Sequence, residues 1–399
     1  MKILVLTSTY SRWENDTEPK FVDNLCHYLS QANEVHVIAP HAPGIPREER
    51  MNGIQVFRFK YCFEKWQTLA YDGGILPSLK ENRMRAFLIP FFLISQSCLM
   101  LKLMRKHRYD IVHAHWMIPQ GLVAALARPL SRTGSALVIT SHGGDMFSLK
   151  GKLLTWLKKW ATSRANQLTV VSSTMKAKAV SLQLKDAPRI SVIPMGIDSH
   201  TMFYPPPPDT PRRGLLFVGR LVEKKGIEHL IAAMPLVLKA HPDQLLTIVG
   251  HGPLLETLQQ LCEKLGVKDH VEFTGAITNQ DIPRYLQRSA VTVFPSIVTD
   301  SGDQEGTPVA VMESLACECA TIVSDYPGAR DIIIEGENGL LVAQKAPDQI
   351  AAAINYLLDN PDIRRKLGEA GRNTVQREYD WSVISANFLS LFHTLKSPA

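Results

Sequence analysis

Eleven short apolar runs, each trailed by a helix-like stretch, constrain this chain more than any other feature. The first series is Ile3–Thr7, Val35–Ala39, Ile111–Ala114, Leu137–Thr140, Leu168–Val171 and Ile190–Pro194. The second is Leu215–Val218, Leu246–Val249, Val271–Thr274, Val291–Phe294 and Thr321–Val323. Most are continuous rather than alternating. That suits strands covered by helices on both faces, as in parallel α/β sheets. Between the series lies Tyr204–Gly214, where five prolines in eleven residues can continue neither a helix nor a central strand. The expected architecture is α/β, with two doubly wound domains. The first spans residues 1–204, a stiff Pro-rich linker spans 205–214, and the second spans 215–378, followed by a terminal segment 379–399. In such sheets ligands bind beyond the C-terminal strand ends, so the loops after the strands are where function is sought.

The chain has 399 residues, 45% hydrophobic and 21% charged, which excludes a disordered or fibrous class and permits two full cores. Six scattered cysteines without a C-x-x-C pair argue against a disulfide framework or zinc site and favour a reducing cytoplasm. Met1–Thr7 is too short for a signal peptide and reads as a first strand. The net charge of +6 is uneven, because Lys80–Arg189 holds 18 basic and 4 acidic residues. A one-sided excess of this size reports on a partner, and an anionic membrane surface is the candidate. The apolar stretch Ala86–Leu101 falls short of the roughly 20 residues that span a bilayer, so a buried core helix is expected there. Lys152–Trp160 reads either as a membrane-surface helix or as a solvated basic one.

Glu305-Gly-Thr-Pro-Val-Ala-Val-Met-Glu313 carries the most chemistry. The apolar run Val309–Ala316 predicts a helix, with Glu313 about two turns inside and Glu305 at or before its start. The N–H groups of Gly306 and Thr307 then lie where anions are favoured. Two carboxylates that accept sugar hydroxyls beside an anion site suit a nucleotide sugar. After strand Leu215–Val218 come Arg220 and Lys225, a planar fork and a point charge fitted to a diphosphate. Gly250-His-Gly252-Pro253 lacks the third glycine of a dinucleotide fingerprint and reads as a tight turn, which excludes a nicotinamide or flavin enzyme. Ser141-His142-Gly-Gly-Asp145 puts a titratable ring on a loop at a strand end. His113 and His115 share one face of their strand, with no third ligand spaced for a metal, so packing or acceptor contact is expected of them. Asp300 and Asp303 do not form an Asp-x-Asp clamp.

In this order, Gly219-Arg-Leu with Lys225-Gly226, Gly250-His-Gly-Pro253, Phe273-Thr-Gly275 and Glu305–Glu313 with Ser314-Leu-Ala316 resemble the retaining glycosyltransferases of family 4, over essentially the whole chain. The resemblance implies the GT-B fold, in which two Rossmann-like domains face a central cleft. The N-terminal domain then binds acceptor, the C-terminal one binds donor, and the last helix returns to the N-terminal domain. It implies that His142 is the active-site histidine, that Arg220 and Lys225 hold the donor diphosphate, and that Glu305 contacts the sugar and Glu313 the ribose. Many relatives have a glycine-rich loop after the first strand, whereas here the loop is Ser8-Thr-Tyr-Ser-Arg-Trp13. Arg12 is the candidate substitute, and His115 and Asp145 are further acceptor-binding candidates.

The expected reaction transfers a sugar from a UDP- or GDP-sugar to an acceptor hydroxyl with retention, on a lipid-linked or oligosaccharide acceptor of bacterial surface polysaccharide. No cofactor and no metal are expected, and no nucleic-acid partner. The expected location is cytoplasmic, at the inner face of the cell membrane. Competing readings are a sugar phosphorylase, a nucleotide-sugar epimerase, or a non-catalytic sugar-nucleotide-binding subunit.

Overall fold

The structure, a computed structural model, describes residues 1–13, 16, 18–71, 73–131, 134–208, 210–306 and 308–396. It divides into two compact units, Met1–Pro194 with Ile384–Ala399, and Met195–Val383.

The first unit is built on an eight-stranded sheet. Its strands are β1 (Lys2–Leu6), β2 (Glu34–Pro40), β3 (Glu48–Met51), β4 (Ile54–Phe59), β5 (Ile111–His115), β6 (Ala136–Ser141), β7 (Gln167–Val170) and β8 (Ile190–Val192). The order is β3-β4-β2-β1-β5-β6-β7-β8, parallel except for the edge pair β3–β4. Helices α1 (Phe21–Ser30), α2 (Ile75–Glu81), α3 (Ile89–Lys106), α4 (Leu122–Ser131), α5 (Lys152–Arg164) and α6 (Ser173–Ser181) lie in the connections. Ile3, Leu4, Val5 and Leu6 of β1 are wholly buried, so a continuous apolar run is what a doubly covered strand requires. Helix α1 buries Val22, Leu25, Cys26 and Leu29, the i, i+3, i+4, i+7 stripe of a helix lying on a sheet.

The second unit has six parallel strands, β9 (Leu215–Val218), β10 (Leu246–Val249), β11 (Val271–Gly275), β12 (Val291–Phe294), β13 (Ala320–Ser324) and β14 (Leu340–Val342). They run in the order β11-β10-β9-β12-β13-β14. Around them lie α7 (Ile227–Ala240), α8 (Leu255–Lys264), α9 (Ile282–Arg288), α10 (Val309–Ala316), α11 (Pro347–Asp359) and α12 (Pro361–Glu378). The strand order reverses between β1 and β5 in one sheet and between β9 and β12 in the other. Each reversal parts the loops at the C-terminal strand ends and opens room for a ligand.

The sequence expectations for the boundary, the Pro-rich segment and Ala86–Leu101 change, whereas the terminal helix joins the first unit from Ile384. The boundary falls at Pro194–Met195 rather than at residue 205. The Pro-rich segment is clipped to the second unit: Phe203 joins its core, the Arg213 N–H donates to Arg288 O, and Arg212 donates to Cys317 O. The terminal helix α13 (Trp381–Lys396) begins on the second unit, where the Trp381 N–H donates to Ile197 O. From Ile384 onward it belongs to the first unit, with Phe388 and Phe392 against His113 and Lys396 3.0 Å from Asp110. The stretch Ala86–Leu101 is not a buried core helix. It lies in a continuous helical run, Arg83–Lys106, only 28% buried across its most apolar window and long and apolar enough to cross a membrane.

Candidate active site

In the second unit, the loops that leave β9 and β12 are held against each other at their bases. Gly219-Arg220 leaves β9 and leads through a single turn, Glu223–Lys225, into α7. Gly226 caps that turn in the left-handed conformation (φ 59°), and a Cβ there would meet Pro295 O at 2.1 Å, so only glycine lets the loops close. The Ile297 N–H donates to Lys224 O, which fixes the second loop against the first. Along the second loop, Glu305 reaches Lys225: Nζ lies 3.2 Å from Oε2, with Lys224 Nζ 3.9 Å from Oε1. The pair is largely buried, with Lys225 and Glu305 side chains 16% and 11% exposed. Oε1 of Glu305 has no hydrogen-bond partner. Lys224, which also lies 3.6 Å from Asp303, is a cation that the sequence reading passed over. Arg220 is exposed at the mouth of the same loop.

Helix α10 begins at Val309, so Glu313 sits about one turn inside it rather than two. Burial pushes the Glu313 carboxyl up to about 7, and the charge of Lys225 works against that rise. Lys225 therefore links both carboxylates of the motif. Gly306 precedes the helix by three residues and is not part of its first turn, and Thr307 lies outside the described residues. The second glycine motif has a packing role. A Cβ at Gly250 would strike Gly219 O at 1.9 Å, and one at Gly252 would strike Leu221 O at 2.3 Å. The Leu221 N–H donates to His251 O, so the turn after β10 buttresses the loop that carries Arg220.

In the first unit, His142 follows β6 and stacks on His115 from the end of β5. Their rings are 9° from parallel, and His142 Nε2 lies 2.9 Å from His115 Nδ1. Phe21 and Trp116 close around it at 4.8 and 5.1 Å between centroids. Trp116 holds φ at 72°, an uncommon conformation for a bulky residue, and it aims the indole at His142. Burial drives His142 and His113 down to about 3 and His115 well below the ordinary imidazole range, so all three rings are neutral at pH 7. Nδ1 of His142 has no partner.

The acceptor candidates are placed differently from the expectation. His115 is 1% exposed behind His142 and supports that ring rather than reaching solvent. Asp145 is buried with both oxygens engaged: Ser141 Oγ donates to Oδ1 at 2.6 Å and the Met117 N–H to Oδ2 at 2.7 Å. It ties the β6 loop to the β5 loop. Lys158, buried in α5, donates to Asp145 O and Leu149 O, so it is a strut of this loop and not a surface cation. Arg12 is paired with Asp16 through Nε and Nη2 at 2.9 Å, with its guanidinium over Trp13 and Tyr71. The glycine-free loop spends N–H groups internally: Thr9 donates to Thr7 Oγ1, Ser11 to Asp23 and Arg12 to Asp16. Sequence spacing could not show the roles of His115 and Asp145, because His142 and Met117 come from the ends of other strands. Among the described residues no three His, Cys, Asp or Glu side chains group as a metal site.

Each doubly wound unit thus carries a polar site at its switch point, a lysine–carboxylate pair in the second and stacked histidines in the first. Residues 201–374 match the family described as glycosyl transferases group 1, and residues 20–201 match glycosyltransferase family 4. EpsD of Bacillus subtilis, named as a glycosyltransferase, is 30% identical over 69% of this chain and 74% of its own. The GDP-mannose-dependent alpha-(1-6)-phosphatidylinositol monomannoside mannosyltransferase of Mycolicibacterium smegmatis is 29% identical over 73% and 78%. Among solved structures, sucrose-phosphate synthase of Thermosynechococcus elongatus superposes with a TM-score of 0.76 at 23% identity, covering 99% of this chain and 98% of that one. Anabaena HepE in complex with UDP gives 0.72 at 17%, covering 99% and 100%. The chain belongs to the group 1 glycosyltransferases of family 4, with the GT-B fold.

Proposed function

We propose that this enzyme transfers a sugar from a UDP- or GDP-sugar to an acceptor hydroxyl with retention of configuration, in the synthesis of a bacterial surface polysaccharide. The second unit holds the donor and the first presents a lipid-linked or oligosaccharide acceptor at the cytoplasmic face of the membrane. The observation that carries the reading is the Lys225–Glu305 pair, 3.2 Å apart at the switch point of the second sheet. A diphosphate entering there competes for Lys225 and finds Arg220 and Lys224 beside it. Glu305, relieved of its partner, accepts hydroxyls of the sugar. Charge that builds on the leaving diphosphate is met by fixed cations in a partly desolvated place, where they act most strongly. These cations do the work that a divalent ion does elsewhere, so the transfer is metal-independent. Glu313, half neutral near pH 7, suits a ribose hydroxyl as donor or acceptor.

Retention through a covalent intermediate needs a carboxylate nucleophile at the anomeric carbon, and Glu305 is assigned instead to the hydroxyls of the sugar. Front-face displacement within an ion pair fits better. His142, neutral and with Nδ1 unpartnered, contacts a sugar hydroxyl and does not carry charge. Two relatives lend support: the M. smegmatis enzyme is named as GDP-mannose-dependent, and HepE has been crystallised with UDP-glucose. The test is product analysis with labelled donors. Label moved to an acceptor with the anomeric configuration kept supports the reading. Phosphorolysis, epimerisation or inversion contradicts it.

A further inference from the structure

Helical run Arg83–Lys106 presents one face to the protein and another to solvent. Phe92, Gln96, Met100, Leu103 and Met104 are buried against the first unit. On the opposite side Met84, Phe87, Phe91 and Ile94 stand 58–77% exposed. Their spacing of three, four and three residues makes a single stripe along the helix. The stripe continues through exposed Cys98 to exposed Lys102 and Arg105. No acidic residue occurs from Asn82 to Tyr109, while Arg83, Arg85, Lys102, Arg105, Lys106 and Arg108 flank the apolar part. Exposed aromatic side chains in a contiguous row, rimmed by one sign of charge, mark an interaction surface.

We propose that this face docks the first unit on an anionic lipid surface, with Phe87, Phe91 and Ile94 entering the headgroup–acyl boundary and Lys102 and Arg105 resting on the headgroups. The proposal rests on the reading of the first unit as the half that presents a lipid-linked acceptor. Although the run is long enough to span a bilayer, its buried face is part of the unit's core. It therefore lies in the membrane plane, as amphipathic interfacial helices do. A second copy of the chain is a poor occupant. Cations stand at both ends of the stripe, so a self-complementary contact sets like charges against each other in either orientation. Helix α5, which the sequence reads either as a membrane-surface helix or as a solvated basic one, spends Lys158 internally, and the docking face is assigned to Arg83–Lys106 instead.

Vesicle sedimentation of the full chain, with phosphatidylcholine alone and with added phosphatidylglycerol, tests this. The parent is expected to pellet with anionic vesicles and to be released by salt. Phe87→Ser/Phe91→Ser should lower partitioning by about tenfold per ring. Lys102→Gln/Arg105→Gln should lower it by roughly fivefold per charge. Lys152→Gln/Lys159→Gln should leave it unchanged. A polarity-sensitive probe on Cys98, the exposed cysteine among the six, should shift to the blue with anionic vesicles and not with neutral ones. Nucleoside diphosphate binding, measured on the same variants, reports folding and separates this idea from the transferase reading. A parent that stays in the supernatant, a serine variant that pellets like the parent, or a Cys98 probe blind to lipid charge overturns the docking face. So does a concentration-dependent dimer abolished by the serine variant.

Discussion

At the switch point of the first sheet stand three uncharged imidazoles packed among aromatic rings. At that of the second stand lysines paired with carboxylates. Both occupy the C-terminal strand ends of the same architecture, yet burial acts on them in opposite directions. It pushes His142 down to about 3 and so keeps a base neutral. It pushes Glu313 up to about 7 and so brings an acid to the edge of neutrality. One fold thus provides a neutral site and a charged one, and the difference lies in which side chains follow the strands.

If the second site does the electrostatic work, its loss should dominate. Glu305→Gln should lower turnover by roughly 10²–10³-fold, the scale of losing one preorganised transition-state contact. Steady-state kinetics that show near-parent turnover would remove Glu305 from the reaction. His142→Ala should cost on the order of 10² in turnover through misplaced substrate, while calorimetry finds nucleoside diphosphate affinity unaltered. A shared loss of affinity would erase the contrast between the sites. Lys225→Ala should weaken nucleoside diphosphate binding by roughly 1.5–3 kcal/mol, the worth of a charge-assisted contact. Arg220→Ala should weaken it less, because Arg220 is exposed and screened.

Stability sharpens the same contrast. Asp145 is buried with two donors, so Asp145→Ala should destabilise by roughly 1–3 kcal/mol, measurable by denaturant unfolding, with donor affinity untouched. The pH dependences should have opposite signs. The depressed imidazoles bind fewer protons folded than unfolded, so their stability is complete above about 6.5 and drains away as pH falls toward 3. Glu313 binds more protons folded than unfolded. Its contribution is complete below about 4.5 and is lost as pH rises through about 7. Glu313→Gln should therefore raise the Tm more at pH 8 than at pH 5. An equal shift at both would mean that Glu313 is ionised throughout.

How far the sequence foretold this depends on the kind of signal. Leu215–Val218, Leu246–Val249, Val291–Phe294 and the helix Val309–Ala316 were legible to the residue, because central parallel strands and a buried helix need unbroken apolar runs. Strand β3, Glu-Glu-Arg-Met, was not, since an edge strand is free to be polar and its identity comes from pairing with β4. Arg220 and Lys225 could be found because cations five apart after a strand are a local pattern. The engagement of His115 with His142, of Asp145 with Met117, and of Lys158 with the Asp145 loop joins residues 13–28 positions apart. No spacing rule reaches across strands in that way. Helix α3 misled because hydrophobicity alone does not say which side of a helix faces the core.

The lysine–carboxylate loop of the second unit is proposed to grip a nucleoside diphosphate, and titration calorimetry with UDP and GDP, without added metal, reads that grip. One of the two should bind the parent, bind His142→Ala equally well, and bind Lys225→Ala at least about tenfold more weakly. Binding of neither nucleotide, or equal affinity in Lys225→Ala, would remove the loop from the donor site.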